Sequence, residues 1–236
     1  MALLTAGGVA AGAVVYWAPA LTVVSATARR VFGVRARVAA AGAVGLTFDD
    51  GPHPQGTPAV LELLEREHVS ATFFLVGEQV RRAPGLAAEI RAAGHEVALH
   101  CDRHRNLMWR TPQETRRDLE NAYETIADAV GAEPRRYRPP YGILSASALS
   151  LSRRRGWETV LWTRDGEDWA EQATARSIAA GCLKRIGAGD IVLLHDADTY
   201  SALGSWKRTA EALPRILDGL RERGLAVAPL SDGTLP

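Results

Sequence analysis

From residue 43 onward, short apolar runs alternate with longer stretches in which apolar residues return every three or four positions. The runs occupy residues 43–48, 71–76, 96–100, 159–163, 191–195 and 225–230. They are brief and often β-branched or aromatic, the make-up of buried strands. The stretches between them predict helices over residues 58–68, 113–130, 174–186 and 209–223. In the first, Val60, Leu61, Leu63 and Leu64 supply the apolar face; in the second, Leu119, Ala122, Tyr123 and Ile126 share one face and charges hold the other. Gly94, Gly156, Gly189 and Gly224 stand near or just before the next run, where a helix has to stop. Alternating β and α elements predict a parallel sheet. Such a sheet is either open and doubly wound or curled into a barrel, and the pattern alone does not choose.

The N-terminus reads differently. Residues 1–28 carry no charged side chain and are rich in Ala, Val and Leu, long enough for one apolar helix that spans a bilayer. Gly7, Gly8, Gly12 and Pro19 weaken a helix in water but are tolerated in lipid. The expectation is a retained membrane anchor. Secretion by a cleaved signal peptide is the rival, with Ala26-Thr27-Ala28 as cleavage site, although no Lys or Arg precedes Arg29 as a signal peptide normally requires. A merely apolar first helix is the third reading. Arg29, Arg30, Arg35 and Arg37 follow, and positive flanks favour the cytoplasm; the side on which the main domain lies stays open. The plan is thus an anchor or signal over 1–28, a basic, Ala-rich linker over 29–42, one domain over 43–231 and a tail over 232–236. On this plan a chain starting near Arg37 is expected to be soluble and active.

Composition narrows the classes. With 47% hydrophobic residues the chain can bury a full core. A net charge of +1 gives no global field to draw it onto nucleic acid. Cys101 and Cys182 are too few and too far apart to form a disulfide framework. A monomer is expected.

Candidate chemistry gathers where the apolar runs end. The first run ends in Thr47-Phe48-Asp49-Asp50-Gly51-Pro52 and the third in His100-Cys101-Asp102-Arg103-His104. A short stretch around Tyr137 leads into Arg138-Pro139-Pro140-Tyr141-Gly142, the run through Trp162 into Asp165-Gly166-Glu167-Asp168-Trp169, and the run from Ile191 into Leu194-His195-Asp196. In parallel α/β folds the C-terminal ends of the strands form one rim, and active sites lie there. These distant segments therefore converge on one cleft. Two histidines with a carboxylate form a known set for Zn²⁺ with an open position, and the adjacent Asp49 and Asp50 are costly to hold together without a cation. Against this, His100 and His104 alone read as ordinary surface histidines, His195 as a satisfied core residue, and Arg138 as the solvated part of a rigid turn. His53 is a candidate for lining the cleft, whereas His68 and His95 read as structural and Cys182 as core. Tyr200 and Trp206, in the polar loop after His195, either stack on a sugar ring or pack the loop.

Taken in order, these segments resemble the NodB-homology polysaccharide deacetylases, carbohydrate esterase family four. Thr47–Pro52, His100–His104, Arg138–Tyr141, Asp168-Trp169 and Leu193–His195 match the family's motifs in sequence order, and the likeness runs from about Val44 to about Leu230. The resemblance implies a distorted (β/α) barrel of about seven repeats and one divalent metal, usually zinc, with cobalt, manganese or nickel as alternatives. It implies Asp50, His100 and His104 as metal ligands, Asp49 as general base and His195 as general acid. Arg138 and Asp168 orient that base and acid. Tyr141, following Pro140, offers its backbone N–H to the oxyanion, and Trp162 and Leu193 wall an acetyl pocket. The implied substrate is an N-acetylated amino sugar in a poly- or oligosaccharide or a lipid-linked glycan. Cys101 departs from the family's Ser or Thr, and residues 163–167 are less typical, which makes Asp168 the least secure assignment.

Other functions compete. A glycosidase using Asp49 and Asp50 leaves the histidines idle, and neighbouring residues are badly placed to flank a glycosidic bond at roughly 5–9.5 Å. A non-catalytic glycan-binding relative, or a deacylase of a non-polymeric substrate, stays open.

Overall fold

The computed structural model describes residues 16–231. Its strands are β1 (Ala43–Asp49), β2 (Thr72–Val76), β3 (Glu96–Cys101), β4 (Arg136–Tyr137), β5 (Glu158–Thr159), β6 (Arg164–Asp165), β7 (Ile191–His195) and β8 (Ala226–Ala228). They form one parallel sheet in the order β5-β4-β3-β2-β1-β7-β6, with β8 against the start of β1. The helices are α1 (Ala26–Phe32), α2 (Gly56–Arg66), α3 (Gly77–Arg82), α4 (Pro84–Ala92), α5 (Pro112–Val130), α6 (Ala146–Arg155), α7 (Ala175–Leu183) and α8 (Ser205–Arg221). Every position of β1 and β2 is buried, as befits strands covered on both faces. Alternation then sorts their side chains. Phe48, Phe73 and Leu75 join the large core under the helices, while Phe74, Ala98, Val160, Ile191 and Leu230 form a smaller cluster on the opposite, concave face. The sheet curls around that cluster, an arrangement consistent with a distorted (β/α) barrel.

Local chemistry explains the element ends. Helix α5 opens with a capping box between Thr111 and Glu114, has Pro112 in its first turn, and stops at left-handed Gly131. The apolar stretch at 159–163, expected as one strand, is divided instead. Only β5 and β6, two residues each, flank it. Between them the N–H groups of Val160, Leu161 and Thr163 donate to Tyr137, Arg35 and Ile191 in turn. The segment thus changes partner as the sheet turns, and no single ladder forms. Helices α3, α4 and α6 were not marked by the apolar pattern.

The N-terminal expectation needs correction in part. Residues 1–15 of the expected anchor lie outside the described residues. Among the described residues, no helix is long and apolar enough to cross a membrane. Residues 16–28 do not continue one long helix: Ala18–Val23 is a 3-10 turn with Pro19 at its start, and the Ser25 side chain accepts from the Ala28 N–H to begin α1. The Tyr16 hydroxyl donates to the Arg110 carbonyl at 3.0 Å. The presumed linker is part of the fold. Val34 and Val38 are buried, Arg35 bridges to Val160, and its guanidinium holds Glu158 through two bonds of 3.0 and 3.1 Å. These residues occupy the opening between edge strands β5 and β6.

Candidate active site

Asp49 is the last residue of β1, and strand alternation would turn Asp50 to the other face. Asp50 instead takes a left-handed backbone, φ 78°, so the chain turns at that residue and both carboxylates line one cleft. Gly51 follows because a Cβ there would sit 2.5 Å from an Asp196 carboxylate oxygen. The end of β3 supplies His100, and the loop to α5 supplies His104. That loop is held by the buried Asp118 of α5, which accepts from the backbone N–H groups of Asp102 and Arg103 at 3.0 and 3.2 Å. His100 Nε2 and His104 Nε2 each lie 3.4 Å from the same Asp50 oxygen, Oδ1.

One ligand atom from each of Asp50, His100 and His104 falls within 4.8 Å of the others, and Asp50 Oδ1 is buried without a hydrogen-bond partner. The donor set, two imidazoles and one carboxylate around an orphaned oxygen, fits a divalent cation. Protonation agrees. Burial alone would raise the Asp50 carboxyl, but the His100 contact and the field of His195, His104 and His100 hold it at about 2. Burial, outweighing Asp50, holds His104 at about 4, so its imidazole is neutral and free to ligate.

Two positioned groups flank this triad. Arg138 is fully buried and donates from Nη1 to Asp49 at 2.7 Å and to Thr47 Oγ1 at 2.8 Å. Its guanidinium lies 4.0 Å over the Phe74 ring, which leaves it little freedom to rotate. Across the cleft, His195 Nδ1 meets Asp168 Oδ1 at 2.8 Å. The other Asp168 oxygen accepts from the His195 backbone N–H at 2.7 Å and from Thr209 Oγ1 at 2.8 Å. Burial would lower the His195 imidazole, but Asp168, helped by Asp50 and Asp49, lifts it to about 10.

The cleft, about 470 Å³, is lined by Asp49, Asp50, His100, His104, His195 and by Tyr141, Trp162, Leu193, Trp169 and Tyr200 among others. Arg138 and Asp168 stand behind it. Tyr141 sits at φ 58° inside the turn Pro140–Gly142, with buried Pro140 shaping that turn rather than facing the cleft. Trp162 Nε1 donates to Asp165 at 3.0 Å.

Other histidines and aromatics fall elsewhere. His53 uses Nδ1 to accept the Gly56 N–H at 2.9 Å, and its ring packs on Trp206; both brace the loop before α2. His95 Nδ1 accepts the Ala71 N–H at 3.3 Å. The Cys101 thiol is fully buried, burial pushes it well above its ordinary range, and it does not belong to the Asp50, His100 and His104 group. The contacts of Thr47, Asp118, Thr209 and Tyr200 escaped the sequence reading. For Tyr200 a signal existed, since it follows His195 closely in a polar loop.

The polysaccharide deacetylase family model matches residues 37–160. A chitooligosaccharide deacetylase of a Bradyrhizobium species is 39% identical over 79% of this chain and 88% of its own length. A peptidoglycan-N-acetylglucosamine deacetylase of Bacillus cereus is 33% identical over 80% of this chain and 86% of its own. Among solved structures, a family 4 carbohydrate esterase from Streptomyces lividans in complex with acetate superposes with a TM-score of 0.71 at 32% identity, covering 80% of this chain and 93% of that one.

Proposed function

The chain belongs to the polysaccharide deacetylase family, and on that premise we propose that it hydrolyses the N-acetyl amide of an amino sugar in a poly- or oligosaccharide. Water adds to the acetyl carbonyl, the C–N bond breaks, and acetate and a free sugar amine leave. One observation carries the reading: a single cleft holds the Asp50–His100–His104 set between an arginine-bound carboxylate, Asp49, and a carboxylate-bound histidine, His195. A divalent metal held by that set, zinc or else cobalt, manganese or nickel, would polarise the carbonyl and acidify the attacking water.

The protein's own groups do the rest. Asp49 takes the water's proton, and Arg138 fixes which way its carboxylate points. His195, whose imidazole Asp168 holds above its ordinary range, passes a proton from Nε2 to the departing nitrogen, because Nδ1 is committed to Asp168. The Tyr141 backbone N–H, in its left-handed turn, serves the oxyanion. Trp162 and Leu193 bound a pocket for the methyl group. The names of the relatives support an N-acetylglucosamine glycan, of the chitooligosaccharide or peptidoglycan kind, as substrate class. The test is mass spectrometry of zinc-loaded protein incubated with a panel of N-acetylated glycans. Loss of acetyl groups from at least one is expected; intact masses throughout would overturn the proposal.

A further inference from the structure

The two histidines of the triad are held in different ways. His100 Nδ1 donates to the Arg138 carbonyl at 2.7 Å, which leaves the Nε2 lone pair, 3.4 Å from Asp50 Oδ1, for a cation. His104 also turns Nε2 toward Asp50, yet its Nδ1 is buried with no hydrogen-bond partner among the described residues. A metal-ligating histidine ordinarily gives that second nitrogen's proton to an acceptor, which fixes tautomer and ring plane. Around His104, rings take that place. Tyr200 stacks on it with centroids 4.6 Å apart and planes 19° apart, and Tyr141 meets it edge-on at 4.6 Å.

Tyr200 is tied down at its far end. Its hydroxyl accepts from Gln79 Nε2 at 3.0 Å and donates to Glu78 in a close contact. Arg82 Nη1 donates to Gln79 Oε1 at 3.2 Å, which turns the amide's NH₂ toward the tyrosine and leaves the phenolic proton for Glu78. The loop is braced as well. The Gly204 N–H donates to Asp198 at 2.7 Å, Asp198 faces His53 Nε2 at 3.3 Å, and the Ala202 N–H donates to the Trp169 carbonyl at 3.1 Å.

We propose that Tyr200 is a positioning residue of the metal site: its tethered ring sets the plane of His104 where a hydrogen bond on Nδ1 would otherwise do so, and thereby sets how tightly the site holds a divalent ion. The proposal rests on the reading of Asp50, His100 and His104 as metal ligands. It makes the loop between β7 and α8, which begins next to His195, a brace for both the acid and the metal side of the cleft.

The experiment titrates metal-free full-length protein with zinc against a chromophoric chelator, for wild type, Tyr200→Phe and Tyr200→Leu, and records the visible spectrum of each cobalt-loaded form. Tyr200→Leu is expected to weaken zinc binding about 10–100-fold and to shift the cobalt bands. Tyr200→Phe, which keeps the ring but loses the tether, should lose a smaller part and keep the bands. Circular dichroism of the metal-free forms checks the fold; should Tyr200→Leu unfold, Tyr200→Met fills the same gap without a ring and gives the same readout. Equal zinc affinity in wild type and the ringless variant would overturn the proposal, and so would an equal loss in the phenylalanine variant. Wild type that binds no zinc would overturn the metal reading itself, a result distinct from both.

Discussion

Adjacent aspartates can share a cleft only if the chain breaks strand alternation between them, and the left-handed Asp50 does that. The pair then divides its labour by partner: Asp50 faces imidazoles, Asp49 faces a guanidinium. Asp49→Asn keeps an oxygen for Arg138 but removes the base. Turnover is expected to fall roughly 10²–10⁴-fold with zinc content unchanged, read by steady-state kinetics and metal analysis of the same preparation; a rate near wild type would unseat Asp49. The His195–Asp168 pair has a signature in stability. Its folded pKa of about 10 lies above the unfolded value of roughly 6.5, so in metal-free protein its contribution is complete below about 6.5 and is lost as pH rises through about 10. Urea unfolding across that window should show stability declining with pH in wild type and a flatter profile in Asp168→Asn. Matching slopes would remove the pair as the cause. The residues legible in the sequence are those that end apolar runs, because the C-terminal ends of parallel strands share one rim and several polar clusters there converge. Thr209 and Asp118 sit on amphipathic helices, where Thr and Asp are ordinary, and only the fold turns them toward Asp168 and the loop bearing His104.

Elements were legible in proportion to their burial. Strands β1, β2, β3 and β7 are apolar because they are covered on both faces, and β4 was visible only as a short stretch around Tyr137. The division of 159–163 was hidden, since its pairing with Arg35 is set by the N-terminal segment rather than by its own residues. Helices α3 and α4 together span few turns and present only a few buried residues each, too little for a helical period to register. Helix α5 shows what an element contributes to the site beyond packing. Its Asp118 carboxylate takes two backbone N–H groups of the loop between His100 and His104, and hydrogen bonds to a charged group are worth about 1.5–3 kcal/mol each. Asp118→Ala is therefore expected to lower the melting temperature and to weaken zinc binding about tenfold or more, as loss of outer support at metal sites does. Unchanged zinc affinity in a folded Asp118→Ala protein would show that His104 holds its place without the helix.

At the scale of the whole molecule, the curled sheet leaves an opening between β5 and β6, and the N-terminal segment fills it. Val34 and Val38 are buried there, Arg35 pairs with Val160 and Glu158, and Val23 lies near Gly142, against which Trp162 also packs. The segment thus supports the turn bearing Tyr141 and the tryptophan proposed to bound the acetyl pocket. This revises the expectation that a chain starting near Arg37 is active, which treated everything before Thr47 as dispensable because no motif lay there. A chain starting at Tyr16 should fold and deacetylate like the full-length protein. A chain starting at Arg37 loses Val34 and the Arg35 bridge, and should melt well below the longer one and lose most of its turnover. Equal melting temperatures and rates for the two would show that the segment is a passive cover. Residues 16–28 do not continue one long helix, so whether the residues before Tyr16 hold the protein at a membrane is tested in the same series. Full-length protein should stay in the membrane pellet after a carbonate wash, and the chain starting at Tyr16 should be released. Full-length protein in the soluble fraction with its N-terminus intact would refute the anchor, while a mature N-terminus after Ala28 would mark a cleaved signal. Protease added outside intact cells then assigns the side. Digestion places the catalytic domain outside with a cell-wall glycan within reach, and protection places it with a cytoplasmic, lipid-linked sugar.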